Sequence, residues 1–374
     1  MKTIEDIKES FQDFSNKLGD HRHGSHTLHS VTEILFLTLC AIICGCEGWR
    51  DIERYGKAKV EFLRKFFPYK NGIPSDDTVR RFFRSLTPSS FQKYFVSWVA
   101  EMGEAIGHHI ALDGKVSRRS FDNEGDPLHM VSAFASESRL VLGQEKVADK
   151  SNEIKAIPVL LDMIDIEGAT ITIDAMGCQR DIAKNILDKK ANYVLSLKGN
   201  QGNLHKDVEL TFQDKELVKA LKASTHMVVD KNKHGRQEER TYTTIALNDE
   251  LKEYFGWPHI ETITQVLSQR KIKGKSTQEK RYYISSLAET AKVIGQFIRA
   301  HWSVENTLHW ILDISFRDDE SRIRKGNAPQ NAAIIKHMTL NMLQKAKGKR
   351  DSIKQMRKAA GWDEALLLEI LQKI

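Results

Sequence analysis

Apolar residues recur at helical spacing through roughly the first hundred positions and then switch to alternation. Runs at 31–45, 49–66, 76–86 and 89–106 are separated by Gly45, Gly48, Pro68, Gly72, Pro74 and Pro88, which interrupt helices, so residues 1–105 are expected to form one all-α unit. From His108 the period is two. It predicts strands at 109–116, 128–136 and 139–147, a helix at 152–165, a strand at 169–174, a helix at 179–190 and a strand at 192–197. Three strands in succession, then alternating helix and strand, imply a mixed sheet whose later strands are joined by crossover helices. After Gly199 two hairpins are expected, 225–247 turning at Asn232 to Gly235 and 260–287 turning at Lys273 to Lys275, as an inserted β subdomain over 200–288. A long helix from Glu289 to Phe316 and another from Asn327 to Lys345 complete the core, 106–199 with 289–346, and 347–374 is left as a basic helical tail.

The most apolar stretch, Ile34 to Cys46, is too short to cross a bilayer and the acidic start of the chain lacks the basic region of a signal peptide. No membrane association is expected, and four cysteines without a disulfide pattern suit a reducing cytoplasm. Cys40, Cys44 and Cys46 follow His21, His23, His26 and His29, but the spacing matches no common zinc finger, and buried thiols fit better. Lys and Arg number 57 against 50 Asp and Glu, a formal charge of +7 that favours a polyanionic partner. The basic residues concentrate at 269–281, with six basic side chains and one acidic, and at 345–358, with seven and one. Within the helical unit, Ser75 or Asp76 can cap a helix over DDTVRRFFRSL that turns Val79, Phe82 and Phe83 inward and Arg80, Arg81 and Arg84 outward. A helix-turn-helix reader has this pattern, and so does a plain amphipathic helix.

Two strands carry the candidate chemistry. HHIALDGK ends in Asp113 and ATITIDAMG in Asp174, each aspartate at the strand end before a small residue. A third acid, Glu305, falls within the apolar stripe Ile294, Phe297, Ile298, Val304, Leu308, Ile311 and Leu312 of the long helix. A buried carboxylate there requires a partner, either a salt bridge to Arg299 or His301 or a cation shared with the aspartates. Asp318, Asp319 and Glu320 are rival third acids in a stretch expected to be exposed. Hard oxygen ligands suit two Mg²⁺ or Mn²⁺ ions and hence phosphodiester chemistry. There is no P-loop, dinucleotide fingerprint or H-E-x-x-H, which argues against ATPase, dehydrogenase and zinc-protease functions.

The strings LDGKVSRRS (112–120), HMVSAFASE (129–137), LGQEKVADKSNEI (142–154), TIDAMGCQ (172–179), YVLSLKGNQ (193–201) and HWSVENTLHWILDISFRDDESRIR (301–324) together resemble the H-repeat-associated DDE transposases of bacterial insertion sequences. The resemblance runs from about Phe11 to Leu343. It implies an α/β protein with an RNase H-like mixed five-stranded sheet flanked by helices, a β-rich insertion and an all-α N-terminal domain that binds the element's ends. It implies metal-binding acids at Asp113, Asp174 and Glu305, and cutting and joining of double-stranded DNA by a homodimer or larger assembly. The tyrosine–arginine–glutamate–lysine signature of related enzymes is here Ile298, His301, Glu305 and Leu312, so only the glutamate carries over. Candidate DNA contacts are Lys198, Asn200 and Gln201 after the last core strand, Arg299, His301, Trp302 and Asn306 around the glutamate, and Arg80, Arg81 and Arg84. Trp257, Trp302 and Trp310 are candidates for stacking on a displaced base, or for core packing. A nuclease that cuts without joining, and a DNA-binding protein without turnover, are the alternative functions.

Overall fold

The structure, a computed structural model, describes residues 2–18, 27–102, 107–121, 126–147, 153–231, 236–272, 275–348 and 350–373. Six helices come first: α1 (Ile4–Leu18), α2 (Val31–Ile43), α3 (Trp49–Ala58), α4 (Val60–Arg64), α5 (Asp76–Ser85) and α6 (Pro88–Glu101). The apolar stretch forms α2, buried along its whole length, and its start is fixed by a reciprocal cap between Ser30 and Glu33. Cys40 is buried within it, and Cys44 Sγ lies 3.6 Å from the Tyr55 hydroxyl. His21, His23 and His26 lie outside the described residues, among which no cluster of three or more metal-binding side chains occurs. Nor is any described helix long and apolar enough to cross a membrane.

The sheet begins with β1 (His109–Val116), β2 (His129–Ala135) and β3 (Leu140–Lys146); then come α7 (Glu153–Met163), β4 (Thr170–Ile173), α8 (Arg180–Asp188) and β5 (Asn192–Leu197). These five strands lie in the order β3-β2-β1-β4-β5, antiparallel across β3, β2 and β1 and parallel across β1, β4 and β5, which is the expected RNase H-like arrangement. The two parallel joins are made by α7 and α8, which cross over as helices must between parallel neighbours.

After α9 (Gly202–Gln213) and α10 (Lys215–Ala220) come β6 (Ser224–Lys231), β7 (Arg236–Ala246), α11 (Asp249–Phe255), β8 (Thr262–Ile272) and β9 (Lys275–Ser285). The expected β-rich insertion forms, and its strands extend the core sheet. β9 pairs antiparallel with β5, from Val194 opposite Ser285 to Leu197 opposite Tyr282, and β8, β7 and β6 follow, so one sheet of nine strands results. The outer edge of β5 would otherwise present unpaired backbone groups, and β9 satisfies them.

The long helix is also not continuous. It runs as α12 (Ala291–His301), a π-helical segment over Val304–His309, and α13 (Trp310–Ser315). α12 packs across β1, β4 and β5 and onto β6 and β7, so it spans both halves of the sheet. Finally α14 (Ala328–Ala346) packs against β3, α2, α5 and α6, and α15 (Ile353–Trp362) and α16 (Glu364–Leu371) close on it. The helical N-terminus and the first sheet half therefore share one apolar core.

Candidate active site

The parallel register sets Leu112 of β1 opposite Ile173 of β4, and Asp113 and Asp174 follow side by side where that pairing stops; Asp113 is not at the end of its strand as expected, because β1 runs on to Val116 against β2. Backbone amides fix both: Gly114 N donates to Asp113 Oδ1 at 3.0 Å, and Met176 N donates to Asp174 Oδ1 at 3.1 Å. Glu305 lines the same cavity, about 210 Å³ in volume, with Lys198, Ser196, Arg281, His301 and Trp302. Burial and then the neighbouring Asp174 charge push the Asp113 carboxyl up to about 7, and Glu305 adds to the effect. Asp174 is raised as well, by burial first and then by Glu153, while Lys198 works in the opposite direction.

Glu305 departs from expectation. It is exposed and makes no ion pair among the described residues, so neither proposed partner, Arg299 or His301, neutralises it. The wider π turn re-phases the helix, placing Val304, Leu308 and Leu312 in the core and Glu305 beside them at the cavity wall. The His301 ring is turned inward, with Nδ1 2.9 Å from Thr172 Oγ1, and burial lowers its pKa to about 4. Thr172 is in turn 2.8 Å from His109 Nε2, so a buried polar chain ties α12 to the strand that bears Asp174.

Three side chains around the acids were not singled out from the sequence. Glu153, at the start of α7, pairs with His129 Nε2 at 2.7 Å and raises both aspartates. Both lie against Gly114, where any side chain would run into the Glu153 carboxylate, so the residue after Asp113 must be glycine for this packing. His309 Nδ1, on the π segment, sits 3.6 Å from Asp113 Oδ2. Glu153 and His129 stand in the strings 142–154 and 129–137, but only the fold brings them to Asp113.

Among the described residues no three His, Cys, Asp or Glu side chains stand close enough to hold one ion between them. The acids nevertheless fit Mg²⁺ or Mn²⁺, ions that take one or two carboxylates and complete their shell with water and phosphate oxygens. The donor set is the sign of fit: Asp113, Asp174 and Glu305 line one cavity, and none of them is ion-paired to a lysine or arginine among the described residues.

Residues 108–342 match the profile of the Transposase DDE domain, and residues 12–99 match that of a DDE_Tnp_1-associated region. The chain belongs to the DDE-domain transposase family. It is 41% identical over 372 residues to "Putative transposase YncI" of Escherichia coli O157:H7, covering 97% of this chain and 94% of that one. It is 38% identical over 360 residues to "H repeat-associated putative transposase YhhI" of Escherichia coli K12, covering 94% and 95%. Among solved structures it matches a piggyBac transposase synaptic complex with hairpin DNA at 13% identity and a TM-score of 0.41, covering 99% of this chain and 78% of that one.

Within this family member the remaining candidates are dispersed. Lys198 is exposed on the cavity beside the acids. Asn200 and Gln201 hold the loop after Asp174, Asn200 Nδ2 donating to Ala175 O at 2.6 Å and Gln201 Nε2 to Cys178 O at 2.9 Å. Arg299, Trp302 and Asn306 line an adjoining cavity. Arg80, Arg81 and Arg84 are exposed on α5, capped by Ser75, and line neither cavity; Arg80 pairs with Asp77 at 2.5 Å. Trp257 is buried beneath the Arg180 guanidinium, whereas Trp310 is exposed.

The rival acids are corrected. Asp318 is buried, not exposed, accepting from Lys336 Nζ at 2.5 Å and Ser117 Oγ at 2.6 Å. Asp319 faces Lys115 at 3.4 Å and Arg118 at 3.2 Å, and Glu320 pairs with Arg317. The tail is corrected too. Arg357 is buried, with Nε and Nη2 donating to Ile42 O at 3.0 and 2.7 Å and a further bond to Ser315 O, so it ties α15 to α2 and α13.

Proposed function

We propose that this transposase-family protein cuts DNA at the ends of an insertion element and joins the cut ends to target DNA, with Asp113, Asp174 and Glu305 as the acids that hold Mg²⁺ or Mn²⁺. The observation that carries this reading is one cavity that brings together Asp113 and Asp174 from adjacent strands and Glu305 from the π segment, none of them ion-paired to a lysine or arginine among the described residues, while the fourth carboxylate, Glu279, is paired with Arg281. Asp113 and Asp174, fixed by backbone amides, would hold the cations in place, and Lys198 offers the scissile phosphate a cationic contact. Cutting adds a water oxygen to phosphorus as the 3′ oxygen leaves with a proton; in joining the freed 3′ hydroxyl bonds to a phosphorus of the target DNA, and that phosphorus loses the target's own 3′ oxygen, which leaves with the proton. Two bound ions would activate the attacking oxygen and stabilise the departing one, so no protein nucleophile is required. Joining two ends calls for at least two copies of the chain.

The test is incubation of the full chain with DNA carrying the element's ends. Cutting that needs Mg²⁺ or Mn²⁺, stops in Ca²⁺ and leaves no protein on the DNA, followed by transfer of the 3′ end to a second duplex, is the expected result. Cutting without transfer would favour a simple nuclease. Full activity in EDTA or a covalent adduct would sink the metal reading, and binding without turnover would leave a DNA-binding protein.

A further inference from the structure

A second cavity, about 330 Å³ and larger than the one at the acids, opens between the outer half of the sheet and α12. The two are continuous, sharing Arg281, Tyr283, Ile298, Trp302 and Glu305 as a common wall. Its floor is a small apolar core of Val194, Tyr242, Val266, Tyr283, Ala291, Ile294 and Ile298, which fixes α12 on the strands. Above that floor four guanidinium groups converge: Arg240 from β7, Arg270 from β8, Arg281 from β9 and Arg299 from α12.

Their arrangement is set by the strand register. Glu238 stands opposite Arg270 on the neighbouring strand and is almost fully buried, so it braces Arg270 at 3.0 Å and Arg240 at 2.8 Å. Arg281 is held by Glu279 at 2.8 Å and lies over the Trp302 ring, 4.9 Å from its centroid. Arg299 makes no ion pair among the described residues and is exposed. Within the cavity the only other acids are Asp230, 3.5 Å from Arg240, and Glu305, which belongs to the acid site. A cavity of this size lies at the lower end of the range for small-ligand pockets, ~300 Å³ and upward. Rigid guanidinium forks match carboxylate and phosphate oxygens alike, and a DNA-cutting site brings phosphodiesters within their reach.

We propose that this cavity is a phosphate subsite that holds the backbone next to the bond being cut, so that the outer four strands guide the strand into the acids. The inference rests on the reading of the acid cavity as the cutting site. It gives a role to the sheet extension: Arg281, on the strand that joins the extension to β5, stands in both cavities.

The test is the affinity of the full chain for a short mixed-sequence single strand of DNA, titrated against salt with Ca²⁺ in place of Mg²⁺. Arg270→Gln and Arg299→Gln are the informative changes because both side chains reach solvent, whereas Arg240 and Glu238 are packed too deeply to alter safely. Each should weaken binding severalfold and lower the slope of log affinity on log salt by about 0.7, the value for one lost contact on a single strand. Arg270→Lys should restore the slope, and Arg64→Gln, on the exposed surface of α4, should not change it. Unchanged slopes in both variants with unaltered melting temperatures would overturn the subsite, and so would an equal loss in Arg64→Gln. Cutting by the unsubstituted chain in Mg²⁺ is measured alongside: its absence would sink the acid-site reading while the slopes still decide the subsite.

Discussion

Two groups of carboxylates lie close together in this fold and behave in opposite ways. Asp113, Asp174 and Glu305 gather around an open cavity, where Lys198 pulls the Asp174 carboxyl downward. Asp313, Asp318 and Asp319 gather beside β1 and are matched by Lys115, Lys336 and Arg118, with Lys115 2.6 Å from Asp313. Burial penalises the Asp113 and Asp318 carboxylates alike. In the second it is outweighed by Lys336 and by hydrogen bonds from Lys336 and Ser117, which hold Asp318 down at about 2; in the first it is reinforced by like charge, which lifts Asp113 to about 7. Composition does not separate the clusters. What differs is compensation: the second cluster is paired with lysine and arginine, and the first has no lysine or arginine ion pair among the described residues.

The largest expected contrast is in stability. Asp318→Asn leaves the Lys336 ammonium buried without its counter-ion and should cost about 3–5 kcal/mol in urea unfolding in EDTA. Asp113→Asn removes a charge that is repelled in the folded state and should cost nothing or stabilise. Equal losses in both would erase the distinction between the clusters.

Activity should divide the other way. Asp113→Asn, Asp174→Asn and Glu305→Gln should each lower metal-dependent cutting by at least ~100-fold, and doubles should add little, since members of one catalytic unit are not additive. Glu305 is exposed, so Glu305→Gln should keep the parental melting temperature. Glu320→Gln, at a surface pair with Arg317, should cut within about threefold of the parent. A dead Glu320→Gln beside an active Glu305→Gln would transfer the third role to the other cluster.

Stability against pH sharpens the comparison further. In metal-free protein Asp113 ionises at about 7 when folded against about 3.9 when unfolded, so the folded state holds an extra proton between those values and stability falls as pH rises across that window. Asp318 has the opposite sign: its contribution is complete above about 4 and is lost as pH falls from there through about 2. Asp113→Asn should remove the upper slope and Asp318→Asn the lower. Mg²⁺ should stabilise the protein more at pH 8 than at pH 6, because Asp113 must lose its proton to bind it. A Mg²⁺ effect independent of pH would separate the metal from Asp113.

The smallest effect concerns the two basic segments. Replacing Lys271, Lys275 and Lys280 on the β8–β9 hairpin by Gln should flatten the salt dependence of duplex binding by at most about 0.9 per contact. Arg357→Gln in the other segment should instead lower the melting temperature, since that guanidinium is buried among backbone carbonyls of α2 and α13. Equal changes in slope from both segments would contradict this division.

Much of this was legible in the chain itself, because it depends on local periodicity. Alternation in HHIALDGK and ATITIDAMG puts Asp113 and Asp174 at equivalent positions of their strands, though β1 runs on past Asp113 to Val116; the order of three strands followed by helix and strand specifies a mixed sheet, and Ser75 caps α5 through the Thr78 amide. Those features involve neighbours a few residues apart. Other outcomes rest on contacts between residues far apart in sequence. An amphipathic stripe assumes regular winding, and the π turn at Val304–His309 broke that assumption, so Glu305 came out at the cavity wall instead of in the core. Hairpin spacing cannot reveal which edge a hairpin joins, and only the free edge of β5 made β9 its partner. A charge count cannot say which cations are matched: Lys336 with Asp318, Arg270 with Glu238 and Arg357 with the carbonyl of Ile42 are pairings made by packing, as is the approach of Glu153 to Asp113 past Gly114. The sequence determined which acids share equivalent positions on alternating strands, and the tertiary structure decided which of them are left without a counter-charge, because burial and pairing are set by what the fold brings alongside.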